Sequence, residues 1–396
     1  LKSKNIGYVP ALDHVRALAA LLVVFHHVHQ RVGARLLSGS SSENYWTEVA
    51  SPFDAFIVEG HTGVALFMVL SGFIFTHIAG DRHVRAAPFL VNRVLRIYPL
   101  MIFVFLLGTL ARPDLASPLD LPRVLLIPFT LWHPVDLWFV PNIYPFTTLF
   151  WAIAVEFKFY LLFPLLIGLL QRDGIRALVV IIVAMVALRI LLVYNGANPN
   201  DIAYWTIFGR MDQFLIGMIC AAFYRSWDGR HALPMCIFAL ALMSLLLFGY
   251  NQATAQSWPD GWKILWTTAE GAGWGLFIAS YLHVAPRLSK FLARFLAWVG
   301  EISFSIYLLH LVVIALLLQV GPFPLGFTPG VDAFLNGFFF VLPLTLLAAT
   351  VTFHVVEQPF LRYRVRYLEV YSYRAITGSR GEAPIAMQAH ADPERG

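Results

Sequence analysis

The chain has 396 residues, of which 59% are hydrophobic and only 13% charged, about half the charged share of a soluble domain. A large soluble enzyme is excluded, and the composition predicts an all-α polytopic membrane protein, a bundle of about ten transmembrane helices. The net charge of +5 is scattered rather than gathered into a nucleic-acid surface, and the two cysteines, Cys220 and Cys236, carry no metal-ligand or disulfide spacing.

Apolar runs fall near 12–31, 61–79, 98–112, 146–170, 175–194, 204–224, 233–250, 263–284, 298–319 and 334–356. Most are close to the roughly 20 residues that cross a bilayer as helix. The first, LDHVRALAALLVVFHHVHQ, carries Asp13, Arg16, His26, His27 and His29. Ionisable groups inside a span cost roughly 2.5–3.5 kcal/mol each on insertion scales, so they default to a functional reading. Arg16 and His27 are eleven residues apart. At about 100° per residue they share one helix face, roughly 16 Å apart along the axis, while His26 points about 80° away. A cation near one surface and an imidazole beyond mid-depth would line one wall of a polar cavity. The competing reading is that the histidines only make interhelical hydrogen bonds.

The second run begins at His61 and contains Gly63, Ser71 and Gly72, small residues that let helices approach. Arg93 and Arg96 follow in RVLRIYPL. Three residues apart, they present adjacent guanidiniums suited to phosphate, although topogenic or head-group roles compete. Pro99 would begin or bend the third span. The proline-interrupted stretch 121–133 is too short to span and is expected to be re-entrant or interfacial. In the fourth run Glu156 lies near mid-depth, with Tyr160 and Pro164 on its face. A buried carboxylate must be paired or protonated, and pairing with Arg189 or Arg210 is its structural alternative. The ninth run opens as WVGEISFSIYLLH and puts Ser303, Tyr307 and His310 on one face; the tenth ends in VEQPF, where Glu357 reads as an ion-pair partner.

About nineteen Lys and Arg flank one side of the ten runs and about five the other, which predicts both termini in the cytoplasm. Residues 1–360 form one transmembrane domain, and 361–396 a basic, then polar, cytoplasmic tail that reads as disordered. No Walker loop, GxSxG elbow, zinc spacing or Rossmann fingerprint occurs in a fitting context.

Taken in order over about 12–360, LDHVRALAALLVVFHH, GVALFMVLSGFIF, RVLRIYPL, FWAIAVEFKFYLLFP and EISFSIYLLH resemble the membrane-bound acyltransferase-3 family, whose members include sugar O-acetyltransferases of surface polysaccharides. That family marks its first span with an arginine or lysine and, after ten residues, a histidine: here Arg16 and His27. Its cytoplasmic arginine pair falls on Arg93 and Arg96, and its fourth-span Trp and Glu on Trp151 and Glu156. Met68, Ala152 and Phe304 depart from an aromatic, a hydroxyl and a tyrosine common at those places. The SGNH domain that some relatives append is not seen, which implies a one-domain enzyme or a separate partner for a later step.

The resemblance implies a multi-pass enzyme of the bacterial inner membrane. It would move an acyl group, acetyl by expectation, from cytoplasmic acyl-CoA to a hydroxyl of a sugar, glycan or lipid-linked acceptor. His27 would be the general base, its imidazole suited to proton transfer near neutrality. Arg16 and Glu156 would position donor or ring, with Glu156 fixing the tautomer. Arg93, Arg96, Ser71 and Tyr98 would hold acyl-CoA, and Trp151, Tyr160, His310, Ser303, Asp13 and His26 would face the acceptor. No metal and no nucleic acid is implied; lipid surrounds the chain, and a homo-oligomer is compatible. Direct transfer and a covalent acyl-histidine both remain open. The alternative from another class is a proton-coupled transporter using the same buried groups, and the third is a structural scaffold.

Overall fold

The computed structural model describes residues 8–39, 46–130 and 141–369. The helices run in chain order α1 (Pro10–Ser38), α2 (Pro52–Val58), α3 (Thr62–Ala79), α4 (Ala86–Ala111), α5 (Leu121–Leu126), α6 (Phe150–Asp173), α7 (Ile175–Tyr194) and α8 (Pro199–Trp205). They continue as α9 (Ile207–Ser226), α10 (Ala232–Ala255), α11 (Lys263–Val284), α12 (Lys290–Glu301) and α13 (Ser303–Val320). A last rod, Pro329–Leu361, joins α14 (Pro329–Asn336), α15 (Leu342–Thr352) and α16 (Gln358–Leu361) through π-helical turns at 337–341 and 353–357. Two short strands, β1 (His83–Val84) and β2 (Leu368–Glu369), pair antiparallel with His83 opposite Glu369.

Among the described residues nine helices are long and apolar enough to cross a membrane. The remaining apolar run of the sequence forms α11, whose 22 residues reach about 33 Å. Thr267, Glu270 and glycines 271, 273 and 275 dilute its hydropathy because these residues face inward, against α9 and α10. Buried helices in a bundle tolerate this; lipid-facing ones do not. By contrast α7, with mean hydropathy 2.8, buries little besides Leu178 and Arg189 and lies at the periphery.

Two boundaries differ from the sequence expectation. The third span begins at Ala86, well before the apolar run, so Arg93 and Arg96 sit on the helix itself and Pro99 lies inside it. The ninth run is broken at Ile302. Its first part belongs to α12, an amphipathic helix packed against α1 that exposes Phe291, Leu292, Phe295 and Trp298. The stretch 121–133 forms α5 and a 3-10 turn through Phe129; residues 131–140 and the tail from 370 lie outside the described residues.

Small residues set the closest crossings. A Cβ on Gly72 would meet the Phe214 carbonyl oxygen at 2.0 Å, and one on Gly217 would meet that of Val69 at 2.0 Å. Helices α3 and α9 therefore touch backbone to backbone. On the lipid side α7 is held by Arg189, whose Nη2 donates to Asp212 Oδ2 at 2.9 Å and whose Nη1 donates to the Gly209 carbonyl at 3.0 Å and to Thr267. Both partners of this ion pair are fully buried. The pairing that sequence offered as an alternative for Glu156 is thus taken by other carboxylates: Arg189 by Asp212, and Arg210 by Glu270 at 3.5 Å.

Candidate active site

Helices α1, α3, α4, α6 and α13 enclose a cavity with about 850 Å³ of empty space, open mouth included, within the range of small-molecule sites. Seven residues selected from sequence line it: Arg16, Ser71, Arg93, Arg96, Glu156, Tyr160 and Ser303. The remaining walls are largely apolar, with Val64, Phe67, Met68, Phe75, Ile153 and Phe304 among them, and Tyr307 joins them from α13. Ser71 Oγ donates to Glu156 Oε1 at 2.6 Å across the α3–α6 contact. A carboxylate facing a hydroxyl and an open cavity keeps acceptor capacity free for a ligand.

One end of the cavity is rich in guanidinium. Arg16 Nη1 donates to Asp13 Oδ1 at 2.6 Å, and Arg96 Nη1 to Glu357 Oε2 at 2.7 Å. Glu357 also accepts from Ser305. Its sequence reading as an ion-pair partner is therefore observed, with Arg96 as the cation. Arg93 packs over the rings of Phe75, Phe89 and Tyr160 at 4.7, 5.5 and 5.7 Å. Among the described residues it has no carboxylate partner, and its Nε is buried without a hydrogen bond. Tyr98 is turned away: its hydroxyl donates to the Leu125 carbonyl at 2.9 Å and its ring packs on Phe157.

His27 lies beyond the opposite end. Its Nδ1 is 3.0 Å from the Val23 carbonyl oxygen and 3.1 Å from His310 Nε2, while His310 Nδ1 is 3.1 Å from the Ile306 carbonyl oxygen. Carbonyls only accept, so with both rings neutral His310 is protonated on Nδ1 and offers Nε2 as acceptor. His27 then carries its own proton on Nδ1, shared between Val23 and His310. This tautomer, assigned from hydrogen-bond partners, leaves His27 Nε2 as the basic nitrogen, with no hydrogen-bond partner among the described residues. The expected pairing of Glu156 with His27 is absent there, since Glu156 faces Ser71 instead. The side-chain contact to His27 Nδ1 comes from His310 instead.

Tyr307 connects the two regions. It lines the cavity, and its ring centroid is 6.2 Å from that of His310 one turn further along α13. Past His27 the polar layer continues. The His26 ring is 5.1 Å from His27 and 5.5 Å from His61, and His26 Nδ1–H donates to the Val58 carbonyl at 2.7 Å. His61 abuts Tyr204 and Tyr250; Trp151 packs on Tyr204 and Trp205, with the Arg210 guanidinium 4.5 Å above Tyr204. Trp151, His26 and His310 therefore belong to this second region, and Asp13 to the Arg16 ion pair.

Sequence reasoning placed Tyr307 on a face with Ser303 and His310 but gave it no role, and the structure puts it on the cavity wall. Sequence reasoning missed Arg364, counted only among topogenic charges. Arg364 is half-buried beyond the last rod, and its Nε has no partner. Burial and the nearby guanidiniums of Arg93, Arg96 and Arg16 push it down to about 9, which leaves it charged at neutral pH.

Comparison with known proteins agrees with this architecture. A family model described as "Acyltransferase domain" matches residues 9–354. The O-acetyltransferase OatA of Staphylococcus aureus strain NCTC 8325 is 25% identical over 342 residues, covering 76% of this chain and 50% of the relative. A protein of S. aureus strain COL, provisionally named an O-acetyltransferase, is 21% identical over 399 residues, covering 93% of this chain and 59% of the relative. The chain thus spans between half and three fifths of the curated relatives it matches. No solved structure matches it. With the family model covering most of the length, the chain belongs to the acyltransferase-3 family and has an all-α polytopic membrane fold.

Proposed function

We propose that this chain is an O-acetyltransferase of the bacterial inner membrane, with both ends in the cytoplasm. It takes acetyl-CoA from the cytoplasm and acetylates a hydroxyl of a sugar, glycan or lipid-linked acceptor. The observation that supports this most is the cavity that gathers Arg16, Ser71, Arg93, Arg96, Glu156, Tyr160 and Ser303, with Tyr307 on its wall next to His310, which in turn contacts His27. The names of the Staphylococcus aureus relatives support the acetyl group, and the distribution of Lys and Arg supports the orientation.

In this reading the donor's phosphates meet the guanidinium end, where Arg93 lacks a carboxylate, and guanidinium forks suit phosphate oxygens. The apolar walls take the pantetheine arm, with Ser71, Glu156 and Tyr160 as polar contacts for its amides. The thioester passes Tyr307, whose ring must turn aside. His27 Nε2 accepts the proton of the acceptor hydroxyl as its oxygen attacks the thioester carbonyl carbon. The tetrahedral oxyanion collapses, the C–S bond breaks, and the departing thiolate takes the proton back from the imidazolium. The ester and free CoA leave on opposite sides.

The test is turnover of labelled acetyl-CoA by protein reconstituted in vesicles. Removing the base in His27→Ala lowers turnover by about 10²–10⁴-fold in protein that elutes as wild type does. Wild-type turnover by that variant would remove the imidazole from the reaction.

A further inference from the structure

The segment after the last rod folds back as a strap. Val365 N–H donates to Asn92 Oδ1 and Asn92 Nδ2 donates to the Val365 carbonyl, both at 2.8 Å. Asn92 is buried and immediately precedes Arg93 on α4. Further along, Arg85 N–H donates to the Tyr367 carbonyl at 2.9 Å, β2 pairs with β1, and Arg85 Nη1 meets Glu369 at 2.8 Å. Tyr367 is buried with its ring 5.3 Å from Phe89, the ring over which Arg93 lies. Two hydrogen bonds to one buried amide and a short ladder thus tie the backbone next to Arg364 to the turn of α4 that carries Arg93, close enough for the two guanidiniums to repel.

The charge count around it does not close. Four guanidiniums gather there (Arg16, Arg93, Arg96 and Arg364); Asp13 pairs with Arg16 and Glu357 with Arg96, while Glu156, the third carboxylate of the region, lines the same cavity and makes no direct ion pair with Arg93 or Arg364. Arg93 and Arg364 have no carboxylate partner among the described residues, and the Nε of each is buried without a hydrogen bond. Half-buried like charges repel strongly where water screens them little. Nothing in the packing of the strap demands a cation at 364, because the bonds that hold it come from Asn92, Arg85 and the Tyr367 ring.

We propose that Arg364 and Arg93 together form the anchor for the phosphate-rich end of a nucleotide-bearing thioester, and that the strap exists to deliver Arg364 to it. This deepens the donor reading above and rests on it. The ligand class is a polyanion with separated phosphates, and the strap makes donor affinity depend on a segment that contributes nothing to the spans.

Binding to full-length protein in phosphatidylcholine nanodiscs tests this with three probes: coenzyme A, 3′-dephospho-coenzyme A and pantetheine. Arg364→Gln is expected to weaken coenzyme A by about tenfold or more, as loss of a charge-assisted contact does, and to leave pantetheine unchanged. Arg364→Lys recovers part of the loss, and Asn92→Ala, which frees the strap, reproduces the Gln variant. Unchanged coenzyme A affinity in Arg364→Gln overturns the proposal, as does an equal loss for coenzyme A and pantetheine, which would mark a structural role. If Arg364→Gln keeps coenzyme A but no longer retains phosphatidylglycerol on purification, the anion is a lipid head group and the proposal fails. Wild-type protein that binds no coenzyme A at all would instead sink the donor reading itself.

Discussion

At the scale of single residues the account turns on which nitrogen of His27 is basic. Val23 and His310 occupy Nδ1, so in the proposed reaction His310 acts only by holding that tautomer, as a positioning residue. Its role is separable from packing. Gln at 310 retains an oxygen acceptor, whereas Leu does not, so kcat should fall further in His310→Leu than in His310→Gln, with KM for acetyl-CoA unchanged in both. Equal loss in the two variants would make His310 a packing residue only. A second residue outside the spans reports on pH. Glu59 is buried and accepts from Trp46 Nε1 at 3.0 Å and Asn251 Nδ2 at 2.8 Å. Burial nevertheless lifts its carboxyl above the ordinary 4.5, the two hydrogen bonds and Lys263 pulling the other way. The folded chain therefore holds this proton to higher pH than the unfolded chain, and stability falls as pH rises from about 4.5 through the raised value. Glu59→Gln keeps an acceptor for both donors and cannot ionise. Its melting midpoint in detergent should lose that downward slope, and an undiminished slope would clear Glu59 of the effect.

At the scale of elements, the face shared by Arg16 and His27 was legible because eleven residues make three helical turns, and Arg93 with Arg96 because three residues make nearly one. Glu156 was legible as a carboxylate in an apolar run, but its partner was not. The contact between His310 and His27 joins residues 283 apart, and that between Asn92 and Val365 residues 273 apart; no local pattern encodes either. The break at Ile302 was hidden for another reason. The apolar run passes straight through it, while the helix stops because the Gly300 Cα sits against the Asp13 carbonyl, where a Cβ would come within 1.9 Å, and α12 must cross α1. Close approach also yields a prediction at this scale. Gly72→Leu forces a side chain into the Phe214 backbone, so the α3–α9 contact must open, at a cost of about 1–3 kcal/mol or more for overpacking. Its melting midpoint in detergent should drop clearly below wild type, while Gly168→Ala, which meets nothing within 4 Å, should lie close to it. Equal midpoints would mean that the two helices do not depend on this crossing.

At the scale of the whole molecule, the bundle separates two kinds of surface. Helices such as α7 and α10 present apolar faces outward, while α1, α3, α6, α9, α11 and α13 carry the polar layers inside. The buried ion pair of Arg189 with Asp212 fits this division. It joins a peripheral helix to the interior, and removing one partner alone should cost about 3–5 kcal/mol; Asp212→Asn protein that melts as wild type does would deny the pair that role. A second division runs along the bundle. Arg16, Arg93, Arg96 and Arg364 gather at the end where α1 begins and the strap returns, and His26, His27, His61 and His310 with Trp151 and Tyr204 lie towards the other. In the proposed reaction the charged donor enters from the guanidinium end and the hydroxyl from the other, meeting beside Tyr307 and His310.

The measurement that bears most directly on this is a density map of the protein bound to a non-transferable ketone analogue of acetyl-CoA. The account predicts its phosphates against Arg93 and Arg364, its arm along Ser71 and Glu156, Tyr307 rotated aside, and the ketone within hydrogen-bonding reach of the acceptor position beside His27 Nε2. An analogue seated outside this cavity, or one whose ketone stops short of an unmoved Tyr307 with no opening towards His27, would contradict it.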